Sequence, residues 1–267
     1  MKDKIKVAVS GACGKMGQAV VKAVQAENDM ELVSAIDITN TGNDIGEIIE
    51  NKAYGVVIED SLQKVLEQKK IDTVVDFTNP DLVYEHTKLI LDKGARPVIG
   101  TTGLAEKQLG ELKKISQQKG LGCLIAPNFA VGAVLMMMFA QKASKYFSNA
   151  EIIELHHNKK KDAPSGTAIK TAELMTQERD KFGVDNCPET ETLKGSRGGV
   201  TKSNIHIHSV RLPGFIAHQE VICGAPGQAL TIRHDSFDRI SFMPGVILSI
   251  KHVMTNNEFI YGLDNIL

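Results

Sequence analysis

The residues best equipped to do chemistry stand together at 154–168, ELHHNKKKDAPSGTA. If the strand carrying the histidines continues extended, its side chains alternate faces. His156, Asn158 and Lys160 then share one side, and His157, Lys159 and Lys161 the other. A histidine and a lysine on one face offer two proton donors, and nearby cations lower a lysine's pKa towards a useful range. The residues from Asp162 to Thr167 read as a helix start. Its free N–H groups and the hydroxyls of Ser165 and Thr167 make a carboxylate site. Taken alone, such a basic run is an ordinary solvated loop. A cationic arm beside a helix N-terminus suits a substrate with two carboxylates.

A second motif lies near the N-terminus. The apolar run IKVAVS (5–10) leads directly into Gly11, Ala12, Cys13, Gly14, Lys15, Met16 and Gly17, followed by a helical pattern. The spacing is GxxGxxG, with Cys13 where the commoner fingerprint has its second glycine. Glycines here allow a tight turn and let backbone N–H groups approach a pyrophosphate at the positive end of a helix. The run ELVSAI ends at Asp37, twenty residues past Gly17, where a carboxylate can bind the ribose hydroxyls of a dinucleotide. Polar clusters close three further apolar runs: Phe77 and Thr78; Gly100, Thr101 and Thr102; Ala126, Pro127, Asn128 and Phe129. Each alone is an ordinary turn. Three at one sheet edge are expected to hold a nicotinamide and its ribose.

These motifs need a scaffold, and the chain of 267 residues supplies a recognisable one. Short β-branched runs at 5–10, 31–36, 72–77, 96–100 and 121–125 alternate with helical patterns near 15–27, 61–69, 81–93 and 105–119. Such alternation predicts a parallel sheet covered on both faces. Near residue 128 the pattern changes. A Met-rich helix (131–147), the strand AEIIELHH, a helix from Ser165, and strand-like runs at 203–210, 215–223 and 228–234 follow. A last helix is expected at 242–254. The fold class is therefore α/β, a Rossmann-type parallel-sheet domain plus a second α+β domain with a mixed or antiparallel sheet for substrate binding and oligomerisation. The expected boundaries are 1–128 plus 240–267 for the first domain and 129–239 for the second. The loop 183–200 is long enough for a lid.

Composition narrows the classes. With 42% hydrophobic and 24% charged residues and a net charge of −1, no global field would collect nucleic acid or an anionic membrane. The longest apolar run, Ala130 to Ala140, is too short to span a bilayer. The opening residues lack the apolar core of a signal peptide. Cys13, Cys123, Cys187 and Cys223 are scattered, which indicates neither a zinc knuckle nor a disulfide framework, so a reducing cytoplasm is the expected compartment. No metal is expected: His206 and His208 share a strand face but lack a third ligand nearby.

The segment HHNKKKDAPSGTA resembles the signature of the dihydrodipicolinate reductase family. The resemblance extends to GACGKMG, FTNP, GTTG, APNF, HSVRLPG and IRHDSFDRISFMPGV, and so covers essentially the whole chain. It implies hydride transfer from a reduced nicotinamide to 4-hydroxy-tetrahydrodipicolinate, via dihydrodipicolinate, on the diaminopimelate route to lysine. It also implies His156 as proton donor or acceptor, Lys160 as general acid, His157 in contact with the cyclic dicarboxylate, and Gly166 and Thr167 gripping a carboxylate. His157 falls on the opposite face by alternation, so the segment is expected to curve. The family assembles as a homotetramer, which is expected here too. Family members often carry an arginine where Ile38 and Asn79 stand; both are absent, and no cation follows Asp37 until Lys52. NADH is therefore expected to be preferred over NADPH, with Lys15 the nearby cation through which NADPH could still be accepted. Another dehydrogenase of the same plan would call for a catalytic cysteine or sugar-binding acids. A nicotinamide-sensing regulator would call for a basic DNA-binding module. Neither is visible.

Overall fold

In a computed structural model, residues 3–183 and 190–267 are described, and they divide into two compact units, 1–130 with 242–267, and 131–241. Cys187 lies outside the described residues.

The first unit is built on a seven-stranded sheet. Its strands are β1 (Ile5–Ser10), β2 (Met30–Ile36), β3 (Ile58–Glu59), β4 (Thr73–Asp76), β5 (Arg96–Ile99), β6 (Cys123–Ile125) and β12 (Phe259–Tyr261). Every pairing is parallel, in the order β12-β6-β5-β4-β1-β2-β3. All four residues of β4 are buried, because helices cover both faces and leave no side for polar alternation. The helices are α1 (Lys15–Ala26), α2 (Ile45–Glu50), α3 (Leu62–Gln68), α4 (Val83–Asp92), α5 (Glu106–Lys119) and α8 (Met243–Thr255). Val20, Val21 and Val24 of α1 and Val246 and Ile250 of α8 are fully buried. Each such side chain stabilises the fold by about 1.5–3 kcal/mol.

The order reverses between β1 and β4, one strand leading out to β2 and the other to β5. That reversal opens a crevice beyond the carboxyl ends of the strands, where the glycine loop and the other polar clusters fall. Helix α4 begins at Val83, two residues later than the helical pattern expected from 81. Asn79 Oδ1 accepts the N–H groups of Asp81 and Leu82 (3.0 and 3.2 Å), so a turn precedes the helix. The short elements α2, β3 and β12 have no counterpart in the sequence reading.

The second unit holds α6 (Val131–Ala143), β7 (Asn149–His156), α7 (Gly166–Thr176), β8 (Gly199–Val200), β9 (His206–Arg211), β10 (Ala217–Ala225) and β11 (Gln228–Ser236). Its five-stranded sheet has the order β11-β10-β7-β9-β8 and is mixed, because β7 and β9 run parallel while the other pairs are antiparallel. Burial alternates along β7. Ala150, Ile152 and Glu154 point into the core with Ala168, Ala172 and Met175 of α7, while Glu151 and Ile153 face away. Part of the expected lid is anchored. Arg197 makes two hydrogen bonds to Glu151 (2.6 and 3.2 Å), and Glu191 accepts the N–H groups of Gly195 and Arg197. Residues 184–189 of that loop lie outside the described residues.

Candidate active site

The glycine loop has the geometry of an anion cradle. Gly11 has φ +79°, and a Cβ on it would stand 2.5 Å from the Phe77 carbonyl oxygen. A Cβ on Gly17 would stand 2.0 Å from the Gly11 oxygen, so only glycine lets α1 approach β1 this closely. Gly14 is the N-cap of α1 and has no side chain to cap it. Among the described residues no acceptor meets the N–H groups of Lys15, Met16 and Gly17. Three such groups at the positive end of a helix fit a pyrophosphate. Ala12 is buried within the loop, and Lys15 is exposed.

Beside the loop is a cavity of about 470 Å³, lined in part by Ser10, Gly11, Gly14, Asp37, Phe77 and Thr78. The Asp37 carboxylate ties the loop to the end of β2. Oδ2 accepts the Cys13 N–H (2.9 Å), and Oδ1 accepts the N–H and hydroxyl of Thr39 (2.9 and 2.8 Å). The size of the cavity and a carboxylate at its edge suit an adenosine half.

Two of the three further polar clusters are organised by a residue that the motifs do not include. Asp76, at the end of β4, has no exposure to solvent. Its Oδ1 accepts the hydroxyls of Thr78 (2.7 Å) and Thr101 (2.9 Å) and the Thr78 N–H (3.1 Å), while Oδ2 lies against His86 Nδ1. Burial alone would push this carboxyl up, but the bonds from His86 and Thr78 hold it below the usual range. The Thr78 and Thr101 hydroxyls and the Thr78 N–H all donate to Asp76, so towards a ligand these two hydroxyls can act only as acceptors. The Phe129 ring is likewise buried, with its centroid 5.8 Å from that of Phe77. Gly100 makes room for Phe77, whose ring atoms a Cβ there would meet at 2.0 Å. Thr102 and Pro127 are exposed, Ala126 is buried, and Asn128 Oδ1 accepts the Ala130 N–H (2.9 Å).

In the second unit, β7 ends at His156 and the chain turns at once through Asn158 and Lys159, the Lys160 N–H donating to the His157 oxygen (3.1 Å). The extended alternation expected for 156–161 is thus replaced by a turn. Lys160 is placed by this turn and by Asp162, whose Oδ1 it meets at 2.8 Å. His157 is exposed.

Glu154 is the centre of the cluster. It is fully buried and takes two bonds from Arg211 (2.8 and 2.7 Å), one contact from His156 Nδ1 (2.5 Å) and the Ser165 N–H (3.2 Å). Burial raises its pKa, yet Arg211, Ser209 and His156 together bring it below the usual value. Desolvation lowers the pKa of His156; Glu154 opposes this, while Lys160 and Arg211 add to it. A signal for Glu154 existed in the period-two pattern, which puts an acid on the buried face of its strand.

Ser165 is 2% exposed, and its hydroxyl caps α7 by accepting the Ala168 N–H (3.2 Å). Of the two hydroxyls expected at this helix start, that of Ser165 is engaged in the cap, while Thr167 is half-buried. The N–H groups of Gly166 and Thr167 meet no acceptor among the described residues, and a Cβ on Gly166 would meet nothing within 4 Å. This is an open end for a carboxylate. His206 and His208 are engaged with the Arg197 oxygen and with Glu151, both at 2.7 Å.

A parallel sheet with a nucleotide crevice, joined in one chain to a cationic carboxylate site, defines a pyridine-nucleotide oxidoreductase. Residues 5–129 match the model of "Dihydrodipicolinate reductase, N-terminus", and residues 132–267 that of "Dihydrodipicolinate reductase, C-terminus". The chain belongs to the dihydrodipicolinate reductase family. It is 55% identical over 263 residues to a 4-hydroxy-tetrahydrodipicolinate reductase of Listeria monocytogenes serotype 4b (strain CLIP80459), covering 98% of this chain and 100% of the relative. A Syntrophomonas wolfei relative of the same name is 49% identical over 267 residues, with both chains fully covered. The solved structure of a dipicolinate-bound dihydrodipicolinate reductase from Paenisporosarcina sp. TG-14 superposes with TM-score 0.89 at 48% identity, over 99% of this chain and 100% of that one. An amine dehydrogenase from Mycobacterium smegmatis, at TM-score 0.69 and 14% identity over 98% and 96% of the two chains, shares the fold.

Proposed function

We propose that this chain reduces 4-hydroxy-tetrahydrodipicolinate, via dihydrodipicolinate, to tetrahydrodipicolinate, the reduction step of the diaminopimelate route to lysine. The observation that carries the reading is the Glu154–His156–Lys160 cluster beside the open start of α7. The Gly166 and Thr167 N–H groups and the Thr167 hydroxyl hold one carboxylate of the ring, and His157 contacts the substrate from its exposed position. A bound reduced nicotinamide supplies the hydride. Lys160 donates the proton that balances it and, as the cation beside the ring, stabilises the negative charge that grows there, while His156 serves as proton donor or acceptor. Gly11 to Gly17 hold the pyrophosphate and Asp37 the adenosine ribose, with NADH preferred and NADPH accepted less well. The backbones of Phe77, Thr78, Gly100 to Thr102 and Ala126 to Phe129 border the nicotinamide half. A homotetramer in the cytoplasm is the form in which we expect the enzyme to work.

The test is oxidation of NADH in the presence of enzymatically generated 4-hydroxy-tetrahydrodipicolinate. Lys160→Ala and His156→Ala should each lower turnover by on the order of 10² or more. Affinity for the nucleotide should hardly change, because these residues belong to the other unit. Wild-type turnover in both variants would remove the mechanism.

A further inference from the structure

We propose that Glu154 is a positioning residue for the reduction, fixing His156 as the Nδ1–H tautomer so that Nε2 is the nitrogen presented to substrate. The proposal rests on the reading that His156 takes part in that reaction.

An ionised carboxylate can only accept hydrogen bonds, so the state of Glu154 decides which ring nitrogen carries hydrogen. Arg211 settles that state: its two terminal nitrogens meet the two carboxylate oxygens at 2.7 and 2.8 Å, a bidentate pair with no solvent at the acid. The contact of 2.5 Å to His156 Nδ1 is therefore an N–H donated to Oε2. In the neutral ring Nε2 is then left without hydrogen, free to accept. The charged groups around the ring are Glu154 on its own strand, Arg211 on β9 and Lys160 in the following turn, while its partner on β10 is Ala217, which carries no charge.

The same carboxylate sets the pieces around the histidine. Its Oε1 accepts the Ser165 N–H at the start of α7, and Arg211 reaches on to the Asp162 oxygen (2.8 Å), in the loop that carries Lys160. One buried acid thus fixes the orientation of the histidine, the helix end with its open N–H groups and the arm bearing the lysine. Stability is a poor reason for such an arrangement, because a buried ion pair is commonly no more stabilising than an apolar pair of similar volume. Orientation of the ring is the use it serves here.

Nitrogen-15 NMR of the full-length protein without ligands reads the tautomer directly. The expected signals are a protonated Nδ1 and an unprotonated Nε2 for His156 at neutral pH. In Glu154→Gln, kcat should fall by on the order of 10² with the nucleotide KM unchanged. The acidic limb of kcat/KM should move to lower pH, since the carboxylate that favours imidazolium is gone and Arg211 is no longer balanced. Glu154→Asp keeps the charge and should restore part of kcat and return the limb towards wild type. An Nε2–H tautomer in the wild type overturns the proposal, and so does a folded Glu154→Gln with wild-type kcat and limb beside an inactive His156→Ala. If Glu154→Gln fails to fold, the tautomer and the Glu154→Asp limb decide. Full turnover in His156→Ala removes the role of the histidine altogether, which is a failure of the functional reading.

Discussion

The Nδ1 of His86 lies 2.9 Å from Oδ2 of Asp76, and the other oxygen of that buried carboxylate holds Thr78 and Thr101. One acid so joins the end of β4, the loop after β5 and helix α4, and His86 and Thr78 also line the cavity beside the glycine loop. Asp76→Ala would leave three polar side chains without their partner. It should cost about 3 kcal/mol of stability or more, read as a lower urea midpoint. Nucleotide affinity, read by NADH fluorescence, should fall with it. A variant within about 0.5 kcal/mol of wild type would show that water replaces the carboxylate.

How far these sites were legible in the sequence depended on period and length. The strands and helices around the glycine loop are long enough to show their periodicity, and the loop has a spacing that only a close helix–strand approach demands. Elements such as α2, of six residues, and β3, of two, carry no period to read. Asp76 and Glu154 escaped for another reason. Asp76 looks like an ordinary strand end, and Glu154, although the period-two pattern puts it on the buried face, shows no partner until tertiary contacts bring Arg211 to it. The turn after His156 escaped because lysine and asparagine permit both extended chain and turn, and the hydrogen bond from Lys160 to His157 decides.

The proposed assembly would rest on the second unit. Its helices α6 and α7 pack with one face of the sheet, and β11 is a nine-residue edge strand with Gln228 to Thr231 exposed. Ile216, Leu230, Phe237 and Ile240 are exposed in the same unit. A long exposed edge and exposed large apolar side chains are where we expect a partner to bind. Light scattering at assay concentration should give the mass of four chains; the mass of one chain would contradict the proposed tetramer.

Acid should weaken the fold in two stages. His156 and His234 both have pKa values below the ordinary 6.5, chiefly through desolvation. As pH falls through 6.5 the unfolded chain takes up these protons before the native one does, so stability declines. Glu151 and Glu154 are held below the ordinary 4.5: burial opposes this, but Arg197 and His208, and Arg211, Ser209 and His156, outweigh it. Their contribution is fully present above 4.5 and is lost as pH drops through the lowered values. Urea midpoints measured from pH 8 to pH 4 should fall first below about 6.5 and again below about 4.5. A midpoint constant over that range would mean that these groups titrate alike in both states.

The choice of nucleotide turns on charge at the ribose end of the cavity. Asp37 and Asp60 both line it, with no lysine or arginine among the described lining residues, and Ile38 at its edge is 88% exposed. A 2′-phosphate would approach two carboxylates and an apolar side chain, whereas ribose hydroxyls would find an acceptor in Asp37. Lys15, exposed at the start of α1, supplies a single cation without the two-point geometry of arginine. We therefore expect kcat/KM to favour NADH over NADPH by on the order of 10-fold, equivalent to about 1.4 kcal/mol. Lys15→Ala should widen the gap by weakening NADPH more than NADH. Ile38→Arg places a guanidinium beside the phosphate position and should narrow or reverse it, the more so at low ionic strength, where exposed charges are least screened. All three enzymes are compared at fixed substrate and salt. A wild type that prefers NADPH would mean that cations from another part of the assembly reach the phosphate, and Ile38→Arg would then change the ratio little.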